Sequence, residues 1–210
     1  MDRIGLRLST VRDIDGVWVG AFTNQDEPIL RRVAAALQLM KQQSPLHYSR
    51  VIRNLDRIWI NTLPNACAQY SRRLNACELD ERFVVVDETT PEMIASAIVH
   101  ETTHARLERY GVAYDEAKRH RIEAICLRRE LNFVSGLAGC EALQEKCRRS
   151  VDYYSTTPEF FLDRNMQQRF QDGSLEALRH LGVPNWLVAL ISKVASLRRR
   201  LRSSRAASAR

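Results

Sequence analysis

The spacing of apolar residues predicts two helices in the first third of the chain. The first begins near Pro28, and its apolar residues recur every three or four positions, at Leu30, Val33, Leu37 and Met40. The second begins after Ser44, a candidate N-cap, with Pro45 in its first turn. Its apolar face consists of Tyr48, Val51, Ile52 and Leu55. We therefore expect two consecutive helices to open the fold.

The pattern changes from helical to strand-like between residues 57 and 86. Residues 57–62 alternate between apolar and polar positions and are rich in residue types that favour strands, and residues 69–74 form a second candidate strand. Residues 83–86 are continuously apolar, as in a strand that is covered on both faces. These segments predict a small β-sheet.

From residue 90 the spacing of apolar residues is helical almost to the end of the chain. Thr90 and Pro91 begin one predicted helix, which ends near Gly111, and a second extends from about Tyr114 to Ser135. Shorter helices are predicted at residues 141–154, 158–171 and 174–181. A last amphipathic helix has its apolar face at Leu187, Leu190, Ile191, Val194, Leu197 and Leu201. The predicted fold class is α+β and mostly helical: a small β-sheet packed on a helical hairpin, followed by a helical C-terminal half.

Length and composition indicate one globular domain. The chain has 210 residues, of which 45% are hydrophobic and 27% are charged, and this balance excludes a wholly disordered protein. With only 8 Gly and 6 Pro, long helices are favoured over many short strands. We expect a single domain over residues 1–202, in which residues 57–135 are the core and residues 139–202 are a helical extension.

The net charge of +7 is concentrated at the C-terminal end of the chain. Residues 198–210 contain no Asp or Glu, and residues 1–197 carry only +1 once six arginines of this end are set aside: Arg198, Arg199, Arg200, Arg202, Arg205 and Arg210. We expect residues 203–210 to be a basic, disordered tail, which is either a solvated chain end or a contact for RNA, DNA or anionic lipid. Nucleic acid is therefore expected to bind at most weakly, through this tail.

The cysteines favour a reducing compartment. No two of them form a C-x-x-C pair and their number is odd, so neither a disulfide framework nor a thiolate zinc site is indicated for Cys67, Cys77, Cys126, Cys140 and Cys147. Residues 1–20 lack the apolar core of a secretory signal, and the longest mostly apolar stretch, residues 186–197, is too short to span a bilayer. We expect a cytoplasmic protein without a transmembrane segment.

The sequence His100-Glu101-Thr102-Thr103-His104 is an H-E-x-x-H motif inside the helix predicted from residue 90. Residues i and i+4 of a helix lie one turn apart on the same face, so two imidazoles can bind one metal ion. The glutamate beside them can take a proton from metal-bound water. The alternative is two surface histidines and a solvated glutamate, but the position of the motif midway along a capped helix favours a metal site.

The helix that follows supplies a candidate for the third ligand that a catalytic zinc ion needs. If the two helices pack antiparallel, Glu123 is about as far beyond the turn at Gly111 as the histidines are before it, whereas Asp115 and Glu116 are too close to the turn. Glu123 also interrupts an apolar segment, and a buried carboxylate needs a metal, a cation or hydrogen bonds. The alternative to metal binding is an ion pair with a nearby arginine: Arg119, Arg121, Arg128 or Arg129.

The strand, the H-E-x-x-H helix and the glutamate on the next helix together resemble the gluzincin branch of zincin metallopeptidases, especially its small, minimal members. The resemblance covers residues 57–135. It implies a zincin-like hairpin in which His100, His104 and Glu123 bind Zn²⁺ and Glu101 is the general base. It also places Tyr114 where some members have a tyrosine that stabilises the oxyanion. The implied function is hydrolysis of peptide bonds, in a peptide or protein substrate, by metal-activated water.

The chain departs from the gluzincin pattern at one position that matters. The family often has Asp or Ser four residues after the ligand glutamate, where it holds the first histidine, and Leu127 occupies this position here. His120, one turn before Glu123, is either an oxyanion donor or an ordinary surface residue.

Three functions are consistent with these features. The first is a zinc-dependent metallopeptidase, and the second is a non-catalytic regulatory or binding module on a zincin scaffold. The third is a nucleic-acid-associated protein that acts through its tail and whose histidine motif is incidental. Zinc content separates the third function from the other two.

Overall fold

The fold combines a small mixed β-sheet with a larger set of helices. The computed structural model describes residues 2–22 and 26–194, with side chains from residue 5 onwards. The elements are α1 (Asp2–Leu8), β1 (Thr10–Ile14), β2 (Val17–Ala21), α2 (Asp26–Gln43), α3 (Pro45–Asn54), β3 (Arg57–Asn61), β4 (Ala68–Ser71), β5 (Ala76–Asp80), α4 (Glu81–Val85), α5 (Pro91–Arg109), α6 (Glu116–Val134), α7 (Glu141–Thr156) and α8 (Asp163–His180). A 3-10 turn at Pro158–Phe161 precedes α8, and residues 185–194 are also helical. The predicted α+β, mostly helical fold class is confirmed.

The sheet has five strands within the described part of the chain, in the order β1-β2-β3-β5-β4. The central strands β2, β3 and β5 are parallel, while β1 and β4 run antiparallel to their neighbours. Helices α2 and α3 form the connection from β2 to β3. All five residues of β5 are buried, as expected for an inner strand of a sheet that helices cover.

The hydrophobic core joins the sheet to helices α2 and α5. Its members come from the apolar faces of these elements and include Leu30, Val33 and Leu37 of α2, Ile58 and Ile60 of β3, and Ile94 and Ile98 of α5. The helices predicted after Pro28 and Ser44 are confirmed as α2 and α3, although the Ser44 side chain makes no capping hydrogen bond.

The prediction that two helices open the fold is wrong, because α1 and a β-hairpin precede α2. The hairpin turn consists of Asp15 and Gly16, which have positive φ angles of 52° and 86°. Two-residue hairpin turns with this backbone favour the Asp-Gly sequence. The Asp13 carboxylate stabilises the turn by accepting a hydrogen bond from the Gly16 amide at 3.1 Å. The Asp-Gly pair between two β-branched segments was the sequence signal for this hairpin.

The prediction of a strand at residues 83–86 is also wrong, because the buried strand comes earlier and the chain then turns into helix α4. The carboxylate of Asp80, the last residue of β5, caps this helix by accepting a hydrogen bond from the Arg82 amide at 2.8 Å. Val84 is buried, whereas Val85 and Val86 are 38% and 43% exposed. The apolar run is therefore covered on one side only, which explains why it does not form a central strand.

Helices α5 and α6 form the predicted antiparallel hairpin. The Thr90 hydroxyl caps the start of α5 by accepting a hydrogen bond from the Met93 amide. The Asp115 carboxylate caps the start of α6 by accepting a hydrogen bond from the Lys118 amide. Gly111, with a φ of 76°, ends the first helix. The bounds predicted for both helices are confirmed to within about two residues.

Residues 158–181 differ from the prediction of two helices, because the 3-10 turn is followed by the single helix α8. Gly173 lies within α8, and a Cβ atom at this position would be 1.3 Å from the Pro64 carbonyl oxygen. The close approach of α8 to the loop before β4 therefore requires a residue without a side chain. The predicted tail at residues 203–210 lies outside the described residues. Among the described helices, none has both the length and the apolar character that crossing a membrane requires.

We predict that Gly173→Ala will destabilise the protein by about 1–3 kcal/mol, as overpacking does, although alanine favours an ordinary helix over glycine by about 1 kcal/mol. Thermal or urea unfolding measures the effect. Gln168→Ala, at an exposed position of the same helix, is the control and should change stability by less than about 0.5 kcal/mol. A more stable Gly173→Ala protein would contradict the close approach.

Candidate metal centre

The α5–α6 hairpin brings the two motif histidines and Glu123 together. The His100 and His104 ring centroids lie 5.1 Å apart on α5. On α6, Glu123 places Oε2 at 3.2 Å from His100 Nε2 and Oε1 at 3.5 Å from His104 Nε2. The three side chains are only 12–15% exposed. Two imidazoles and one carboxylate thus meet in a largely buried cluster.

The donor atoms have a spacing that suits one zinc ion. Ligands at about 2.0–2.2 Å from a tetrahedral zinc ion are about 3.3–3.6 Å from one another. The separation of 3.2 Å from Glu123 Oε2 to His100 and that of 3.5 Å from Glu123 Oε1 to His104 are close to this range, and each involves a different oxygen of the carboxylate. Imidazole nitrogen and carboxylate oxygen are also donors that zinc takes in catalytic sites. The residues present therefore have the donor types that Zn²⁺ takes.

Hydrogen bonding within the cluster shifts its pKa values. Burial acts to raise the pKa of Glu123, but hydrogen bonds with His100 and His104 outweigh burial and lower this pKa well below its ordinary value. Burial acts to lower the pKa of His100, yet hydrogen bonds with Glu123 and Glu130 raise it well above its ordinary value. Metal binding requires an ionised carboxylate and neutral imidazoles, so an ion bound here would displace the proton that the two carboxylates stabilise on His100.

Glu130 performs the role expected at position 127. Its Oε2 lies 3.1 Å from His100 Nδ1, and its Oε1 accepts a hydrogen bond of 2.6 Å from the Ser96 hydroxyl. Leu127 itself is a buried apolar residue. Glu130 is seven residues after Glu123, two turns along the same face of α6, and this spacing was the sequence signal that would have identified it. A carboxylate on the far nitrogen of a ligand histidine fixes its orientation and raises its basicity.

Glu101 is buried beside the cluster, on the side of α5 that faces the sheet. It is 6% exposed. Burial raises the pKa of its carboxyl group, against the opposing effect of His100 and His104. Burial and then the charge of Glu101 raise the pKa of the Cys77 thiol, which is consistent with a position next to β5.

Tyr114 contacts the cluster from the loop before α6. Its hydroxyl donates a hydrogen bond to Glu123 Oε1, and its ring packs edge-on against His104 with centroids 5.5 Å apart. The Arg119 guanidinium lies over the same ring at 5.2 Å. Tyr114 therefore orients a candidate ligand, while its expected role toward an oxyanion stays a prediction.

The arginines that could have paired with Glu123 lie elsewhere. Arg119 forms an ion pair of 2.8 Å with Asp163 and donates to the Phe161 carbonyl. Within the described chain, the polar contacts of Glu123 are His100, His104 and Tyr114. Of the two carboxylates judged too close to the turn, Asp115 caps α6 and Glu116 is exposed. His120 is half-buried one turn before Glu123 and is not among its contacts.

A cysteine that sequence analysis did not select also lies at the cluster. Nitrogen atoms of His100 and His104 and the Sγ atom of Cys126 all lie within 4.8 Å of one another. Cys126 is fully buried on α6, three residues after Glu123. Burial raises the pKa of its thiol, and so does the charge of Glu123. Its position at i+3 from a candidate ligand is a signal that the sequence contained.

No protein-family model, curated protein or solved structure matches this chain.

We predict that Glu130→Gln will weaken Zn²⁺ binding by about 10-fold to 100-fold, because the amide cannot supply the negative charge that raises the basicity of His100. Competition with a chromophoric zinc chelator measures the affinity. Glu145→Gln is the control, since Glu145 pairs with Arg148 and Arg149 on the surface of α7. Equal affinities for Glu130→Gln and the wild type would show that Glu130 does not support the ligand.

Proposed function

We propose that the chain is a zinc-dependent peptidase in which His100, His104 and Glu123 hold Zn²⁺ and Glu101 is the general base. The observation that carries this proposal is the convergence of two imidazoles and one carboxylate from two helices, at separations that suit a single ion. A metal site with three protein ligands leaves a position free for chemistry.

The residues around the ligands have separate tasks in this proposal. Bound zinc supplies Lewis acidity, which polarises a carbonyl group and makes water a better nucleophile. The Glu101 carboxylate accepts a proton from the attacking water and returns it to the leaving amine. Tyr114 orients Glu123 through its hydroxyl, and Glu130 orients His100 through Nδ1.

The substrate class that follows is a peptide or a protein. Cleavage of an amide bond needs a base that later acts as an acid, and Glu101 is buried where its carboxyl group keeps a raised pKa. Glu101 is next to His100 in the sequence. In this proposal the proton acceptor is therefore adjacent to the metal ion but is not one of its ligands.

The second candidate is a non-catalytic binding module that holds zinc, and Cys126 is the observation that favours it. If the Cys126 thiolate joins the two imidazoles and Glu123, the ion has four protein ligands. Closed, four-coordinate sites are typical of structural zinc. The same residues could thus build a site without an open position, and the two candidates differ in whether Cys126 is a ligand.

We predict that Glu101→Gln will retain zinc and lower peptidase activity by about 100-fold or more, because the amide keeps the shape of the side chain but cannot accept the proton. Zinc is measured by atomic absorption on purified protein. Hydrolysis is measured with fluorescently labelled casein and a library of quenched peptides. Equal activity in the wild type and Glu101→Gln would rule out this mechanism.

We predict that His104→Ala will lose both most of the zinc and the activity, because two protein ligands remain from the proposed three. His180→Ala is the control, since His180 contacts Glu81 on the surface and lies outside the cluster. Full zinc content in His104→Ala would contradict the assigned ligands.

Cobalt substitution separates the two candidate functions. A thiolate ligand gives Co²⁺ an intense near-ultraviolet charge-transfer band, which Cys126→Ser would abolish. Zinc binding together with this band and no detectable hydrolysis would favour the binding module over the peptidase.

A further inference from the structure

A pocket between α3, α5 and α6 contains an unusual concentration of positive charge. Its volume is about 220 Å³. Arg50 comes from α3, Arg106 from α5 and Arg129 from α6, and none of the residues that line the pocket is acidic. The described residues offer no ion-pair partner to these three arginines. Like charges converge here without a counter-charge from the protein.

Repulsion among these positive charges affects the pKa of Arg50. Burial lowers the pKa of its guanidinium, and the charges of Arg129, Arg106 and Arg53 lower it further. Repulsion of this kind disfavours the folded state unless a bound anion offsets it. The arrangement therefore indicates a site that an anion completes.

Two residues that line the pocket each have a buried polar atom without a hydrogen-bond partner within the described chain. These atoms are Nη1 of Arg50 and Nε2 of His47. His47 is 6% exposed, and its other ring nitrogen, Nδ1, lies 2.7 Å from the Ser44 hydroxyl. Burial, together with the charges of Arg50 and Arg129, lowers the pKa of His47 to about 4, so the ring is neutral near pH 7. Buried polar groups in folded proteins rarely remain unpaired, and a guanidinium can only donate, so the unpaired Nη1 of Arg50 favours an acceptor at this place.

The remaining wall of the pocket is mostly apolar, with Thr102 and Thr103 as its polar members. Val99, Leu107 and Ile125 line it, and Tyr110 lies at its edge with 72% of its surface exposed. A ligand that matches both the arginines and the apolar wall has an oxyanion at one end and an apolar or planar group at the other. Guanidinium groups bind phosphate oxygens with paired hydrogen bonds, and three of them match a doubly charged phosphate better than a singly charged carboxylate.

We propose that this pocket binds a small phosphate monoester, with the phosphate among Arg50, Arg106 and Arg129 and the organic group against Tyr110 and Ile125. The site is separate from the candidate metal centre and does not depend on the proposed peptidase function. The volume suits a small molecule.

Phenyl phosphate and inorganic phosphate test this assignment on the full chain. At constant ionic strength, phenyl phosphate should raise the melting temperature and bind more tightly than inorganic phosphate in calorimetric titration. Arg129→Gln should weaken phenyl phosphate binding by about 10-fold to 100-fold, the effect of losing a hydrogen bond from a charged group. Arg128→Gln is the matched control, because Arg128 is the exposed neighbour on the same helix and does not line the pocket.

The melting temperatures of the variants without ligand distinguish a binding role of Arg129 from a purely structural role. Arg129→Gln should melt at a higher temperature than the wild type without ligand, because one repulsive charge is gone, although it binds phenyl phosphate less well. Tyr110→Ala, at an exposed position at the end of α5, should reduce the preference for phenyl phosphate over inorganic phosphate.

Three results would overturn the proposal. The first is no change of melting temperature with either anion, and the second is an equal loss of affinity in Arg129→Gln and Arg128→Gln. The third is equal affinity of the wild type for the two anions, which would mean that the apolar wall takes no part in binding.

Discussion

The pairing of His100 with two carboxylates of α6 is the interaction on which the candidate metal centre depends. Glu123 meets one ring nitrogen at 3.2 Å and Glu130 meets the other at 3.1 Å, so the ring is fixed from both sides. Ser96 and Tyr114 extend this chain of hydrogen bonds at its two ends. Removing charged side chains from water costs several kcal/mol per ion, and the contacts between these side chains offset that free energy. The register of α5 against α6 is thereby set by polar contacts as well as by apolar packing.

The sheet completes the site by burying the opposite side of α5. Ile94 and Ile98 lie in the hydrophobic core and Glu101 is buried on the same side of α5, which leaves the next face of the helix for the histidines. Asp80 ends the inner strand β5, caps α4 and accepts a hydrogen bond from the Leu63 amide at 2.9 Å. This carboxylate therefore anchors the chain between the sheet and the helical hairpin.

Local signals in the sequence predicted the hairpin, and contacts between elements account for what they did not predict. Thr90, Asp115 and Gly111 fix the ends of α5 and α6 by capping and by positive φ, which act within a few residues. The position of Glu123 opposite the histidines could be predicted from the lengths of two antiparallel helices alone. Residues 83–86 were misassigned because an apolar run does not reveal whether one face or two will be covered. Sequence analysis missed Glu130 because its partner, His100, lies 30 residues away in the chain. The spacing of seven residues nevertheless places Glu130 on the same face of α6 as Glu123.

Helices α5 and α6 together carry two clusters of opposite charge. Glu101, Glu123 and Glu130 lie at one face, whereas Arg106 lines the pocket at another with Arg129 of α6. Across a helix about 10 Å wide, a carboxylate and a guanidinium attract by about 1.7 kcal/mol at an effective dielectric constant of about 20. That is less than the several kcal/mol that burial costs each ion. The hydroxyls of Thr102 and Thr103, residues that line the arginine pocket, already donate to the carbonyls of Ile98 and Val99. The proposed cation at the carboxylates and the proposed anion at the arginines would each add a counter-charge nearer than the opposite cluster.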